Sequence, residues 1–155
     1  VPEPSVDLFA SVRGKDLSNL TNKEIGDVGE DIARLFLKDN NFTDVFSIQN
    51  GSGNGIDIVA RSPDGSLVFI EVKTSRTNAV GDLSPRQQSM DFFVEDVLTQ
   101  AATKTGRYKN ISAADQMLAE EMLMNFNMRP DQVRGNVVGI DLSGEMLRIS
   151  PWARK

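Results

Sequence analysis

The chain has 155 residues, a mass of 17.0 kDa, 39% apolar residues and a formal net charge of −5, which suits one domain with a sizeable core. It contains neither cysteine nor histidine, so disulfides, thiolate or imidazole metal sites, Ser-His-Asp and Cys-His catalysis, and histidine acid–base chemistry are all excluded. Hydrolysis would have to rest on carboxylate-bound metal, paired carboxylates or lysine; the acidic balance argues only mildly against nucleic acid, because local charge and a bound cation set the field at a groove.

No stretch is long and apolar enough for a bilayer-spanning helix, so no membrane partner is expected, and VPEPSVDLFASVRGKD lacks the charged and apolar regions of a signal peptide. Residues 1–20 open without methionine and with two prolines in the first four positions. They read as a linker-like segment of a longer polypeptide, with 21–155 as a single domain.

Thr21-Asn22-Lys23-Glu24 has capping-box spacing and predicts a helix to about Lys38. Ile25, Val28, Ile32, Ala33, Phe36 and Leu37 fall on one arc of it, Asp27, Asp31, Arg34 and Lys38 on the other, with Glu30 at the border. Thr43 to Gln49 reads as a first strand, and Asn50 to Gly55 as a glycine-rich loop that leads into a strand and therefore is no Walker-type phosphate cradle.

Ile56 to Arg61 and Ser66 to Thr74 are rich in β-branched residues, and Ser62-Pro63-Asp64-Gly65 between them has turn chemistry. A loop of Pro63-Asp64-Gly65 pairs Ser62 with Ser66 and sets Asp57 opposite Glu71. Alternation adds Lys73 to that face and sends Ile56, Ile58, Ile70 and Val72 to the other. Two desolvated acids repel each other, and a divalent cation would resolve the conflict: Mg²⁺ takes a few carboxylate oxygens plus water. The alternative by spacing alone is a solvated Asp/Glu/Lys trio.

Farther on, Ser84-Pro85 predicts the start of a second helix whose Met90, Phe93, Val94, Val97, Leu98 and Ala101 face the sheet. Gln87, the third residue after Ser84, would by spacing close a capping box. Lys104, Arg107, Tyr108 and Lys109 form a basic and aromatic cluster, either a grip on phosphate and base or a solvated helix end. Ser112 caps a third helix to about Asn127, whose Met117, Met122 and Met124, with Met128 beyond, suggest pliable packing. Val137 to Leu142 and Glu145 to Ile149 form a closing hairpin. The order is helix, three strands, two helices, two strands: an α/β domain with a mixed central sheet flanked by helices.

GNGIDIVA followed by VFIEVKTS resembles the core of the PD-(D/E)XK nuclease superfamily, with Ile56 in place of the proline that names the motif. The resemblance implies a restriction-endonuclease-like αβββαβ core and a site of Asp57, Glu71 and Lys73. It also implies Mg²⁺ or Mn²⁺ held by the two acids and the Val72 carbonyl, with Lys73 positioning water or stabilising charge. GEDIA at 29–33 is similar to the GExxA helix of Holliday-junction-resolvase-like members, which adds Glu30 to the metal site. LSPRQQ resembles the helix start of nuclease toxin domains, where a glutamine, here Gln87, approaches the site.

Together these imply a metal-dependent endonuclease, in the first instance the DNase toxin of a delivered interbacterial effector, acting in the target-cell cytoplasm and neutralised by an immunity protein. A tRNA-cleaving toxin of the same fold, a DNA-repair or resolvase-type nuclease, and a non-enzymatic interaction domain are the alternatives.

Overall fold

The structure is a computed structural model and describes residues 7–49, 55–77, 83 and 87–154. Helix α1 (Asn22–Asp39) opens on the expected capping box: Thr21 Oγ1 accepts the Glu24 N–H at 3.1 Å and the Glu24 carboxylate accepts the Thr21 N–H at 3.2 Å. Strands β1 (Thr43–Gln49), β2 (Gly55–Arg61) and β3 (Leu67–Ser75) follow, then helices α2 (Met90–Thr103) and α3 (Ala113–Met128), then β4 (Val133–Asp141) and β5 (Met146–Pro151). The sheet order is β1-β2-β3-β4-β5, antiparallel throughout except for the parallel β3–β4 pair, which the α2–α3 crossover joins. This mixed α/β architecture is compatible with a restriction-endonuclease-like fold.

Each sheet face has its own core. Against α1 lie Ile58, Val68, Ile70, Val138 and Ile140, packed on Ile25, Ile32, Ala33 and Leu37. The other face carries Ile56, Val59, Leu67 and Phe69 against Phe93, Val97, Leu98, Met122 and Phe126 of α2 and α3. Covered on both sides, the middle strands become near-continuous apolar runs. Phe9 and Val12 are buried in the α1 core, and the Arg76 guanidinium donates to the carbonyls of Leu17 and Leu20. Phe9, Val12, Leu17 and Leu20 thus contact the body of the protein.

The β2–β3 turn closes as its residues dictate. Ser62 N–H donates to the Ser66 carbonyl and Gly65 N–H to the Ser62 carbonyl, each at 2.9 Å, with Gly65 at φ 88°. Pairing runs from Arg61↔Leu67 to Ile58↔Ile70 in the expected register. There it stops, because β2 is irregular against β1: Phe46 pairs with Val59 but Ile48 with Ile56, so three steps on β2 match two on β1. That is a β-bulge at Asp57-Ile58 facing Ser47, and it sends Ile56 and Ile58 to opposite faces. The expected alternation, with Ile56 beside Ile58, fails at this point.

Of the helical expectations, one falls on residues outside those described and one changes. Helix α2 begins at Met90, capped by Ser89, whose side chain accepts the Phe92 N–H; Ser84-Pro85 lies outside the described residues. Of the α3 methionines Met122 alone is buried, beside Ala119 and Phe126, while Met117, Met124 and Met128 are exposed, so the methionines are mostly surface rather than packing.

Candidate active site

The bulge and the end of the β2–β3 ladder create the site. With no backbone partner from β2 at this level, the Val72 N–H is taken at 2.8 Å by Asp57 Oδ2. Because the N–H and C=O of one strand residue point to the same side, the Val72 carbonyl faces the Asp57 side as well. The bulge is pinned from α1 and β1: Arg34 donates to Ser47 Oγ, which donates at 2.6 Å to the Asp57 carbonyl. Glu71, one residue past the last pair, is 4% exposed.

Glu30 arrives because α1 presses against β3. A Cβ added at Gly29 would fall 1.7 Å from Thr74 Oγ1, so only glycine permits this approach. Glu30 and Asp57 are bridged by Gln49 of β1, whose amide nitrogen lies 3.4 Å from Glu30 Oε1 and 3.3 Å from Asp57 Oδ1. Lys73 sits 3.5 Å from Glu71 Oε1. Gln87, in the turn before α2, ties these two together: its amide nitrogen donates to Glu71 Oε1 at 2.5 Å and its oxygen accepts from Lys73 Nζ at 3.1 Å. The Gln87 side chain thus bridges two charged groups, while the capping box that its distance from Ser84 suggests lies outside the described residues. Glu30, Asp57, Glu71 and Lys73 line one open cavity of about 580 Å³ with Gly26 and Arg76.

Electrostatics follow from crowding. Burial pushes the Asp57 carboxyl up to about 7, and the Glu71 charge adds to it. Glu30 is likewise pushed to about 7, by burial first and then by Asp57. Glu71 is raised by burial against the opposing pull of Lys73 and Gln87.

Does this donor set fit a hard divalent cation? Among the described residues Glu71 Oε2 is buried with no hydrogen-bond partner, an unmet acceptor of the kind such an ion satisfies. Among the described residues no three acids are grouped closely enough to hold a metal ion together. Two carboxylates and a backbone carbonyl, with water completing the shell, suit Mg²⁺ or Mn²⁺ better than Ca²⁺, which takes more protein oxygens.

Sequence reasoning missed Gln49, Ser47 and Arg34. Only the pairing of β1 with the bulged β2 brings them to the acids, and nothing in their local spacing signals it. The expected nucleic-acid cluster is altered: Lys104, Arg107 and Lys109 are exposed, but Tyr108 is 3% exposed and embedded in the α2–α3 core. Its ring cannot stack on a base without opening that core.

A family profile described as "Uncharacterised protein family UPF0102" matches residues 29–140, a span that includes Glu30, Asp57, Glu71, Lys73 and Gln87. The chain is 33% identical over 130 residues to a "UPF0102 protein" of Dictyoglomus turgidum, covering 83% of this chain and 92% of that relative. With a "UPF0102 protein" of Clostridium perfringens the identity is 32% over 115 residues, or 74% of this chain and 81% of the relative. A "UPF0102 protein" of a Polaromonas species is 37% identical over 81 residues, and there the chain spans about half the relative, 54% of its length against 48% of this one. No solved structure matches the chain significantly.

Proposed function

The chain belongs to the uncharacterised protein family UPF0102, and from the site within that family's span we propose a metal-dependent nuclease that hydrolyses phosphodiester bonds. One observation carries the reading: a carboxylate oxygen on Glu71, buried and unpartnered among the described residues, stands next to a second raised acid and a lysine at an open cavity. Burying such an oxygen is costly unless something occupies it.

Asp57, Glu71 and the Val72 carbonyl, with Glu30 across the cavity, would hold Mg²⁺ or Mn²⁺. Bound there, the ion would neutralise phosphoryl charge and lower the pKa of a water. The protein's own share is positional. Gln87 keeps the Lys73 ammonium at the cavity wall, aimed at charge that builds on the phosphoryl oxygens as the attacking oxygen arrives. Gln49 holds Glu30 and Asp57 at fixed separation. The bulge turns Asp57 inward onto the Val72 N–H.

DNA is the favoured substrate and tRNA the alternative. Incubation of the protein with plasmid and with total tRNA, each with Mg²⁺ or EDTA, tests both: EDTA-sensitive cleavage is expected, and cleavage that persists in EDTA overturns the reading.

At a finer level, the effector-toxin reading with an immunity partner rests on the resemblance of LSPRQQ to toxin domains; the placement of Gln87 against Glu71 and Lys73 suits any nuclease of this fold. The DNA-repair or resolvase-type alternative is supported by the GEDIA string, whose Glu30 lines the same cavity as Asp57 and Glu71. Growth arrest on expression without a protective partner selects the first, and harmless expression of an active nuclease the second.

A further inference from the structure

Gln87 does its work from an unpromising place, a short turn rather than the interior of a helix or strand. Its side-chain orientation is dictated by its neighbours, since a carboxylate can only accept and an ammonium only donate. Its main chain must be held separately. The indole Nε1 of Trp152 donates to the Gln87 carbonyl at 2.6 Å. Trp152 is the only tryptophan of the chain, is 2% exposed, and lies beyond the stretch that the family profile matches.

The residues that follow Trp152 fix the same turn from its other side. Met90 N–H donates to the Ala153 carbonyl at 2.7 Å and Asp91 N–H to the Arg154 carbonyl at 3.1 Å. Ser89 Oγ also donates to the Arg154 carbonyl, at 3.0 Å, and the Arg154 guanidinium reaches Asp91 at 2.8 Å. The first N–H groups of a helix have no partner within it; in α2 a segment distant in sequence, Trp152 to Arg154, satisfies two of them. Trp152 itself is locked by its own N–H on the Gly135 carbonyl at 2.9 Å and by the Phe93 ring, with centroids 5.7 Å apart. A Cβ at Gly135 would come 2.1 Å from the Met90 sulfur and 3.0 Å from the Trp152 Cβ, so this packing has no slack.

We propose that Trp152 is a positioning residue of the site: its indole N–H fixes the Gln87 carbonyl, and through the Gln87 side chain it sets Lys73 against Glu71. A large ring packed into the α2 core thus governs the geometry of a charged pair that it does not touch.

The test uses the whole chain with Trp152→Phe, which keeps an aromatic ring beside Phe93 and removes the N–H donor. The first readout, independent of catalysis, is the side-chain amide resonances of Gln87 in the metal-free protein. They are expected to move toward the position of a solvent-exposed glutamine while core methyl resonances distant from the turn stay in place. Unchanged Gln87 resonances overturn the proposal. Should Trp152→Phe fail to fold, Gln87→Ala, at a partly exposed position, gives the reverse measurement. The single indole N–H resonance is expected to shift when the tether to Glu71 and Lys73 is cut, and an unmoved resonance overturns the proposal.

The second readout rests on the nuclease reading. Trp152→Phe is expected to lower kcat about tenfold with KM unchanged, a loss of positioning rather than of binding. The double variant with Gln87→Ala should be no slower than Gln87→Ala alone. Wild-type kcat in Trp152→Phe overturns the proposal. A wild-type protein that cleaves neither DNA nor RNA sinks the nuclease reading and leaves the resonances to decide the role of Trp152.

Discussion

Asp57→Asn removes one negative charge from the crowded site while preserving the shape of the side chain, and it should make the metal-free protein more stable. The Asp57 carboxyl is pushed from its ordinary 3.8 to about 7 by burial and by Glu71. A rise of about three pH units corresponds to roughly 4 kcal/mol of strain once the group is ionised. Asparagine forfeits part of this gain, because the Val72 N–H at 2.8 Å then meets a neutral acceptor instead of a charged one, a loss of about 1–2 kcal/mol. The net is about 2 kcal/mol, or about 4–8 °C in Tm for a domain of this size.

The pH dependence has a definite sign. Between about pH 4 and pH 7 the folded protein holds a proton on Asp57 that the unfolded chain has released, so metal-free wild type loses stability as pH rises through that window. The advantage of Asp57→Asn should be full at about pH 8 and nearly gone at about pH 4. Calorimetric melts in EDTA at both pH values check this. Adding Mn²⁺ at about 100 times its Kd should then raise wild type by about 2.7 kcal/mol and the variant by little. A variant that melts below wild type in EDTA at the higher pH, or keeps the same advantage at the lower, refutes the claim that the acids strain one another.

Lys73→Ala should reduce cleavage by at least about a hundredfold, while Mn²⁺ binding measured by calorimetry persists, since the ammonium is not a ligand; loss of binding would reassign Lys73. Gly29→Ala should cost about 1–3 kcal/mol in urea unfolding, because its Cβ meets Thr74 Oγ1 at 1.7 Å. Thr74→Gly in the same chain should recover much of the loss, and an undiminished wild-type stability for Gly29→Ala alone would show that α1 does not press on β3. Replacing Lys104, Arg107 and Lys109 together with alanine should flatten the salt dependence of nucleic-acid binding by about one unit of slope for each phosphate no longer neutralised. An unchanged slope would remove this exposed cluster from the binding surface.

What the sequence announces here is local. Asp64-Gly65 and the β-branched runs fix the hairpin register, and Thr21 with Glu24 fixes the start of α1, because each signal acts over a few residues. The bulge at Asp57 is invisible in that way: it exists only against Ser47 of β1, and it overrides the period-two alternation at Ile56. The start of α2 escapes a local reading for a related reason. The Ala153 and Arg154 carbonyls satisfy the N–H groups of Met90 and Asp91 at the start of α2, and no local pattern encodes partners so far along the chain. Tyr108 reads as surface because Arg107 and Lys109 flank it; its ring is nonetheless buried, since the turn at Gly106–Tyr108 rotates it beneath the chain. The site is legible where the acids and Lys73 share one hairpin. Gln49, Ser47 and Arg34 are not, being brought in by tertiary contact alone.

The one parallel seam, β3 with β4, where Leu67 meets Val133, also sets an order of events during folding. Glu30, Asp57, Glu71 and Lys73 precede β4 in the chain, on a helix and a three-strand meander made of short-range contacts, which form fastest, and Gln87 follows in the turn before α2. Until β4 docks, the meander has an open edge and Glu71 retains water, so the acids can approach one another at high dielectric with little repulsion. Closing the seam is the slow, long-range step and also the one that strips that water away. Electrostatic strain is therefore imposed late, on a hairpin whose register is already set. A chain released from denaturant should accordingly complete that last step faster when Mn²⁺ is present or the pH is low, while the earlier collapse of the meander proceeds at the same rate.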